Sequence, residues 1–145
     1  MNTAEQLSKI NIGFIPAKNL DKVWLRVSPM IQKVIDKPKP EHDILDVYAS
    51  LKNEKAWLVL ISDESEILAA YICAQADYPR KRIMYVNMMV GKDMYRWKDE
   101  ILEFLKVGAR NIGATEIEYR GRRGFEKMYK DVAKFKHVAI TIEVD

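Results

Sequence analysis

Cysteine is almost missing from this chain: Cys73 is the only one among 145 residues, which excludes an internal disulfide. Histidine is nearly as scarce. With only His42 and His137 beside that thiol, a zinc site of standard composition is out of reach, and no metal is expected. Long apolar runs are lacking too. The first seventeen residues hold one short apolar stretch, 10–15, so neither a signal peptide nor a membrane span fits. There is no internal repeat, low-complexity tract or long linker, and no G-x-S-x-G elbow, Walker loop, H-E-x-x-H pair or dinucleotide fingerprint. The expectation is one metal-free cytoplasmic domain over residues 1–145, with residues 1–9 poorly ordered.

What is present is an ordinary globular mixture, 48% apolar and 31% charged, which argues against a disordered chain. A chain of this length can bury about two-thirds of the surface that its unfolded form exposes. The net charge of +3 is too small to argue for nucleic-acid binding, but its distribution is uneven. Between positions 120 and 136, Arg120, Arg122, Arg123, Lys127, Lys130, Lys134 and Lys136 face only Glu126 and Asp131. Such a segment either attracts phosphates and acidic partners or is a solvated helix face. Its aromatics, Phe125, Tyr129 and Phe135, suit anchoring a helix to a sheet better than stacking bases, which argues against a nucleic-acid groove.

Apolar spacing orders the elements. Residues 10–15, ended by Pro16, suit a first strand. Leu20, Val23, Trp24, Val27, Ile31, Val34 and Ile35 form a helical stripe that Asn19 can cap, with a kink or a break expected at Pro29. A second helix is expected over 43–53, then strands over 56–61 and 67–76 around a turn at Asp63-Glu64-Ser65. A polar bend over 77–82 leads to a strand over 83–90. A third helix over 96–111 is terminated by Gly113. A strand over 115–119, a turn at 120–124, a short helix over 125–132 and a strand over 138–144 complete the chain. Three consecutive strands point to a mixed sheet flanked by helices rather than a doubly wound one.

This order, with Val23-Trp24 in the first helix, Arg96-Trp97 at the third and the turn Gly121-Arg122-Arg123-Gly124-Phe125, resembles the GNAT N-acetyltransferase superfamily. The likeness is closest to small acetyltransferase-like proteins of tailed bacteriophages. The resemblance implies an α/β (α+β) fold: a mixed, mostly antiparallel central sheet flanked by about four helices, in the order β-α-α-β-β-β-α-β-α-β. It implies acetyl-CoA as cofactor, with the pantetheine arm along the backbone of Met88, Met89 and Val90. The pyrophosphate would rest on the loop that follows. Where the family has an Arg/Gln-x-x-Gly-x-Gly/Ala loop, this chain has Gly91-Lys92-Asp93-Met94-Tyr95-Arg96, one glycine instead of two and at another spacing. Asp93 there either repels a phosphate or caps the third helix. Lys92 and Arg96 are the candidate replacements for the missing donors.

The resemblance also makes Tyr129 the acid that protonates the departing thiolate, with Lys127 and Lys130 easing phenolate formation; the alternative is that it only packs a short helix. Glu54, Asp77 and Glu118 are the carboxylates to inspect as a base, each otherwise a surface residue. Cys73, within an apolar strand, is expected to be a buried inert thiol. Two readings remain. One is an acyl-CoA-dependent N-acyltransferase with a small-molecule or protein amine as acceptor. The other is a non-catalytic phage protein of the same fold, acting in virion assembly or binding a host protein.

Overall fold

The computed structural model describes residues 9–35, 43–120, 129, 142 and 144. Strand β1 (Asn11–Ile15) is followed by a 3-10 turn (Ala17–Asn19) and the helices α1 (Leu20–Ile35) and α2 (Ile44–Lys52). Three strands come next, β2 (Trp57–Ser62), β3 (Ile67–Tyr78) and β4 (Lys81–Gly91). A second 3-10 turn (Met94–Arg96), α3 (Lys98–Asn111) and β5 (Glu116–Tyr119) follow. The strands form one sheet in the order β1-β2-β3-β4-β5. The first four are antiparallel, and β5 pairs with β4 in parallel. This is an α+β fold, a five-stranded mixed sheet with three helices among the described residues. The helix expected over 125–132 (Tyr129 apart) and the strand expected over 138–144 (apart from Ile142 and Val144) lie outside them.

Each face of the sheet carries its own core. Leu58, Leu60, Ala70 and Ile72 pack against Val27, Ile31, Val47 and Leu51 of α1 and α2. Val59, Ile61, Tyr71, Cys73, Met84 and Val86 pack against Trp97, Ile101, Leu105 and Ala109 of α3. Successive residues of β2 thus enter opposite cores, which is why its sequence is apolar without alternation.

Several local expectations need correction. Of the two outcomes expected at Pro29, division of the helix does not occur, since α1 runs from Leu20 to Ile35 through it. A proline removes the hydrogen bond to the carbonyl four residues earlier, here that of Leu25. Leu25 is 86% exposed and Pro29 is exposed, so this interruption faces water. Asn19 belongs to the 3-10 turn, where its N–H bonds to the Pro16 carbonyl at 2.8 Å. The polar bend expected over 77–82 is two paired strand ends. Asp77 sits opposite Arg82 and is ion-paired with it at 2.6 Å, so charge complementarity carries the hairpin where apolar alternation stops. The third helix starts at Lys98 and not at Arg96. Gly113 ends it with φ +79°, the left-handed conformation in which glycine has no Cβ penalty.

Candidate functional site

The site begins with an interruption in β4. Ile72 pairs with Met88 and Cys73 with Val86, so Asn87 is an extra residue, a bulge. Pairing with β5 runs only from Ile83 to Val86, whose carbonyl accepts one further bond from the Arg120 N–H at 3.1 Å. Beyond Val86, no described strand pairs with β4 on that side. A bulge bends its strand and disturbs the ladder, and the described pairing with β5 ends just before Asn87. Past this point, peptide groups of Met88, Met89 and Val90 on the β5 side lack a strand partner among the described residues. A donor and acceptor row of this kind can bind an extended amide-containing chain. Met88 and Val90 lean on the core beneath α1 and α2, and Met89 on the core beneath α3.

Three tyrosines gather at the last described β4–β5 pair, on the α3 face. Tyr119 stands opposite Val86 at the last parallel pair, and Tyr71 opposite Met89. The Tyr129 ring packs at 5.7 Å from that of Tyr119, itself 6.3 Å from Tyr71. The Tyr129 hydroxyl donates to the Lys98 carbonyl at 2.9 Å and lies 3.5 Å from the Tyr119 hydroxyl. Tyr71 is fully buried, and its hydroxyl makes no hydrogen bond among the described residues. Burial raises the pKa of all three above the ordinary tyrosine value. Tyr129 is therefore a neutral O–H at physiological pH, the form that an acid needs. Tyr71 and Tyr119 carry no local motif that marks them. They meet only because β3 and β5 flank β4.

The loop after β4 is organised differently from a phosphate cradle. A Cβ on Gly91 would lie 2.5 Å from the Ala69 Cβ and 2.9 Å from the Leu68 carbonyl oxygen, so this glycine serves the close approach of β3. Lys92 donates its N–H to the Leu68 carbonyl at 2.9 Å, and its ammonium is ion-paired with Glu66. Its carbonyl accepts from the indole N–H of buried Trp97 at 2.8 Å. Arg96 is bound to Asp63 at 3.1 Å, both side chains being 17% exposed, and lies 3.9 Å from Asp93. Asp63 also accepts the N–H groups of Ser65 and Glu66, at 2.8 and 2.9 Å, and these bonds hold its pKa below the ordinary carboxylate value. Asp93 adopts the left-handed conformation at φ 56° and makes no side-chain cap, which corrects the expectation that it caps the third helix. The residue preceding that helix is Trp97.

Met88, Met89 and Val90 thus follow the last β4 residue paired with β5, Tyr129 packs on Tyr119 at that pair, and Lys92 and Arg96 reach toward the β2–β3 turn. Among the carboxylates considered as a base, Asp77 is bound to Arg82 and Glu118 to Arg120 at 2.7 Å. Glu54 follows α2 with φ 60°. Cys73 is buried, and desolvation pushes its thiol up to about 12. His42, His137, Lys127 and Lys130 lie outside the described residues. A separate cleft of about 660 Å³ lies between β1, α1 and the β2–β3 turn, at the opposite edge of the sheet from β5. No helix among the described residues is long and apolar enough to cross a membrane.

No protein-family model and no curated protein sequence matches the chain. Solved structures do. A ribosomal-protein-alanine N-acetyltransferase from Brucella melitensis biovar Abortus 2308 superposes with a TM-score of 0.68 at 14% identity, over 94% of this chain and 100% of that one. An aminoglycoside acetyltransferase from an uncultured soil metagenomic sample, in complex with sisomicin, gives 0.69 at 13% identity, over 94% and 97%. A predicted acetyltransferase with acetyl-CoA from Clostridium acetobutylicum gives 0.65 at 18% identity, over 94% and 96%. The chain has the fold of the GNAT acetyltransferases.

Proposed function

We propose that this protein is an N-acyltransferase that takes an acyl group from a pantetheine thioester, acetyl-CoA being the reference donor, and passes it to an amine. The observation that carries the reading is the end of the described β4–β5 pairing at Val86, with the Tyr129 hydroxyl beside Tyr119 at that last pair. The donor arm fits there because its amides can pair with peptide groups of Met88, Met89 and Val90, which no described strand engages on the β5 side. When bound, the thioester supplies an activated acyl carbon and a thiolate leaving group.

The chain contributes orientation and a proton. Backbone pairing along β4 would orient the arm, and Tyr129 would serve the reaction if the sulfur end lay toward the last β4–β5 pair. The Tyr129 hydroxyl turns from the Lys98 carbonyl and gives its proton to the leaving sulfur. The resulting phenolate regains a proton from the amine through solvent. Gly91 closes β4, and Lys92 and Arg96 follow it with their cations held at the β2–β3 turn. The acceptor is an amine of a small molecule or of a protein, in the host cytoplasm if the chain is phage-encoded.

Release of free thiol from acetyl-CoA in the presence of an amine panel tests the reading. Tyr129→Phe should lower turnover on the order of 100-fold with donor affinity kept within about twofold. Equal turnover in the variant would remove Tyr129 from the reaction. The ion-paired loop after β4 favours a second reading, a phage protein of this fold that does not turn over and serves virion assembly or binds a host protein. Absence of thiol release, together with absence of thioester binding at millimolar donor, would remove the transferase reading and leave the second.

A further inference from the structure

We infer that the donor is held through its pantetheine arm and acyl group, not through nucleotide phosphates, so a thioester without the nucleotide is an equivalent ligand. This rests on the acyl-transfer reading and narrows its substrate class. A pyrophosphate site needs free N–H groups, room for close backbone approach and unneutralised positive charge. The loop after β4 departs in part on the first count and fully on the other two. The N–H groups of Lys92, Arg96 and Trp97 are engaged by the carbonyls of Leu68, Asp93 and Met94. Its glycine is closed off by Ala69 and Leu68.

Charge decides the matter. The carboxylates of Glu66 and Asp63 already occupy Lys92 and Arg96. Asp93 precedes the 3-10 turn, and Asp99 and Glu100 lie in the first turn of α3. A nucleotide phosphate entering here would have to displace two carboxylates and then sit beside three more. Pantetheine is uncharged and carries two amides, which suit the peptide edge of Met88, Met89 and Val90.

Calorimetry on the whole chain with acetyl-CoA, S-acetylpantetheine and 3′,5′-ADP separates the possibilities without requiring turnover. The expected result is a dissociation constant for the two thioesters equal within about threefold, and no detectable binding of 3′,5′-ADP at about 1 mM. Neutralising one competing carboxylate, in Glu66→Gln, should tighten acetyl-CoA about threefold relative to S-acetylpantetheine. Acetyl-CoA binding tighter than S-acetylpantetheine by about 30-fold or more, or binding of 3′,5′-ADP alone, would overturn the inference and leave the acyl-transfer reading intact. If neither thioester binds, both fall together.

Discussion

Gly91 shows how one residue can serve packing where a family pattern would assign it to a ligand. Its Cα faces Ala69 across the β3–β4 pair, closer than two side chains can stand, since opposed Cβ atoms are normally about 4.5–5.5 Å apart. An alanine would place its methyl 2.5 Å from the Ala69 Cβ, with the Leu68 carbonyl oxygen at 2.9 Å. Neither neighbour is the end of a flexible side chain, so the strands themselves must separate. Gly91→Ala should therefore cost about 1–3 kcal/mol in urea unfolding, within the range for overpacking a tight site. An unchanged midpoint would mean that β4 can leave β3 freely at its end. That a strand ends near residue 91 was legible in the sequence, which placed the end at Val90 rather than Gly91. That Gly91 abuts Ala69 was not, because the contact exists only once the register of two strands is set.

At the scale of elements, Asp63 joins the β2–β3 turn to the loop that leads into α3. One carboxylate oxygen closes the turn through Ser65 and Glu66, and the other holds Arg96. The low pKa of Asp63, caused first by those backbone bonds, means that its contribution is fully present above the ordinary value of 3.8. It is lost as pH falls through the lower folded value, because the unfolded carboxyl takes up its proton first. Asp63→Asn should lower the urea midpoint at pH 7, and the gap from the parent should narrow as pH falls below 3.8. A gap that persists in acid would assign the role of Asp63 to shape rather than charge. The turn itself was readable from Asp63-Glu64-Ser65, as the helices were from apolar spacing. Its tie to Arg96 was not, since no local pattern links residues that far apart. The choice between a kink and a break at Pro29 was not legible for a related reason: it depends on whether the carbonyl that the proline deprives meets water, and exposure is a tertiary property.

The whole molecule is asymmetric across its sheet. Buried titratable groups collect on the α3 face, where Cys73, Tyr71 and Tyr129 lie with half-buried Tyr119, while the α1 and α2 face holds none in its described buried core. Burial is the leading cause of every upward shift in this group, and for Cys73 it moves the thiol from an ordinary 9.0 to about 12. A raised acid favours the folded state fully below its unfolded pKa. Between pH 9 and 12 the unfolded chain has lost the Cys73 proton and the folded one has kept it, so stability must fall as pH rises. The tyrosines extend this loss from about pH 10 upward. Cys73 alone accounts for a slope on the order of 1 kcal/mol per pH unit in that window. Cys73→Ala lowers stability at neutral pH through the lost packing, yet its decline from pH 9 to 10 should be flatter than that of the parent. Hydrogen exchange near pH 10 should show α3 losing protection before α1 and α2, because the groups that would ionise lie beneath α3. Loss of α1 first would mean that the titration acts from outside the described core, and that the tyrosine cluster at the candidate site is not where alkali enters the fold.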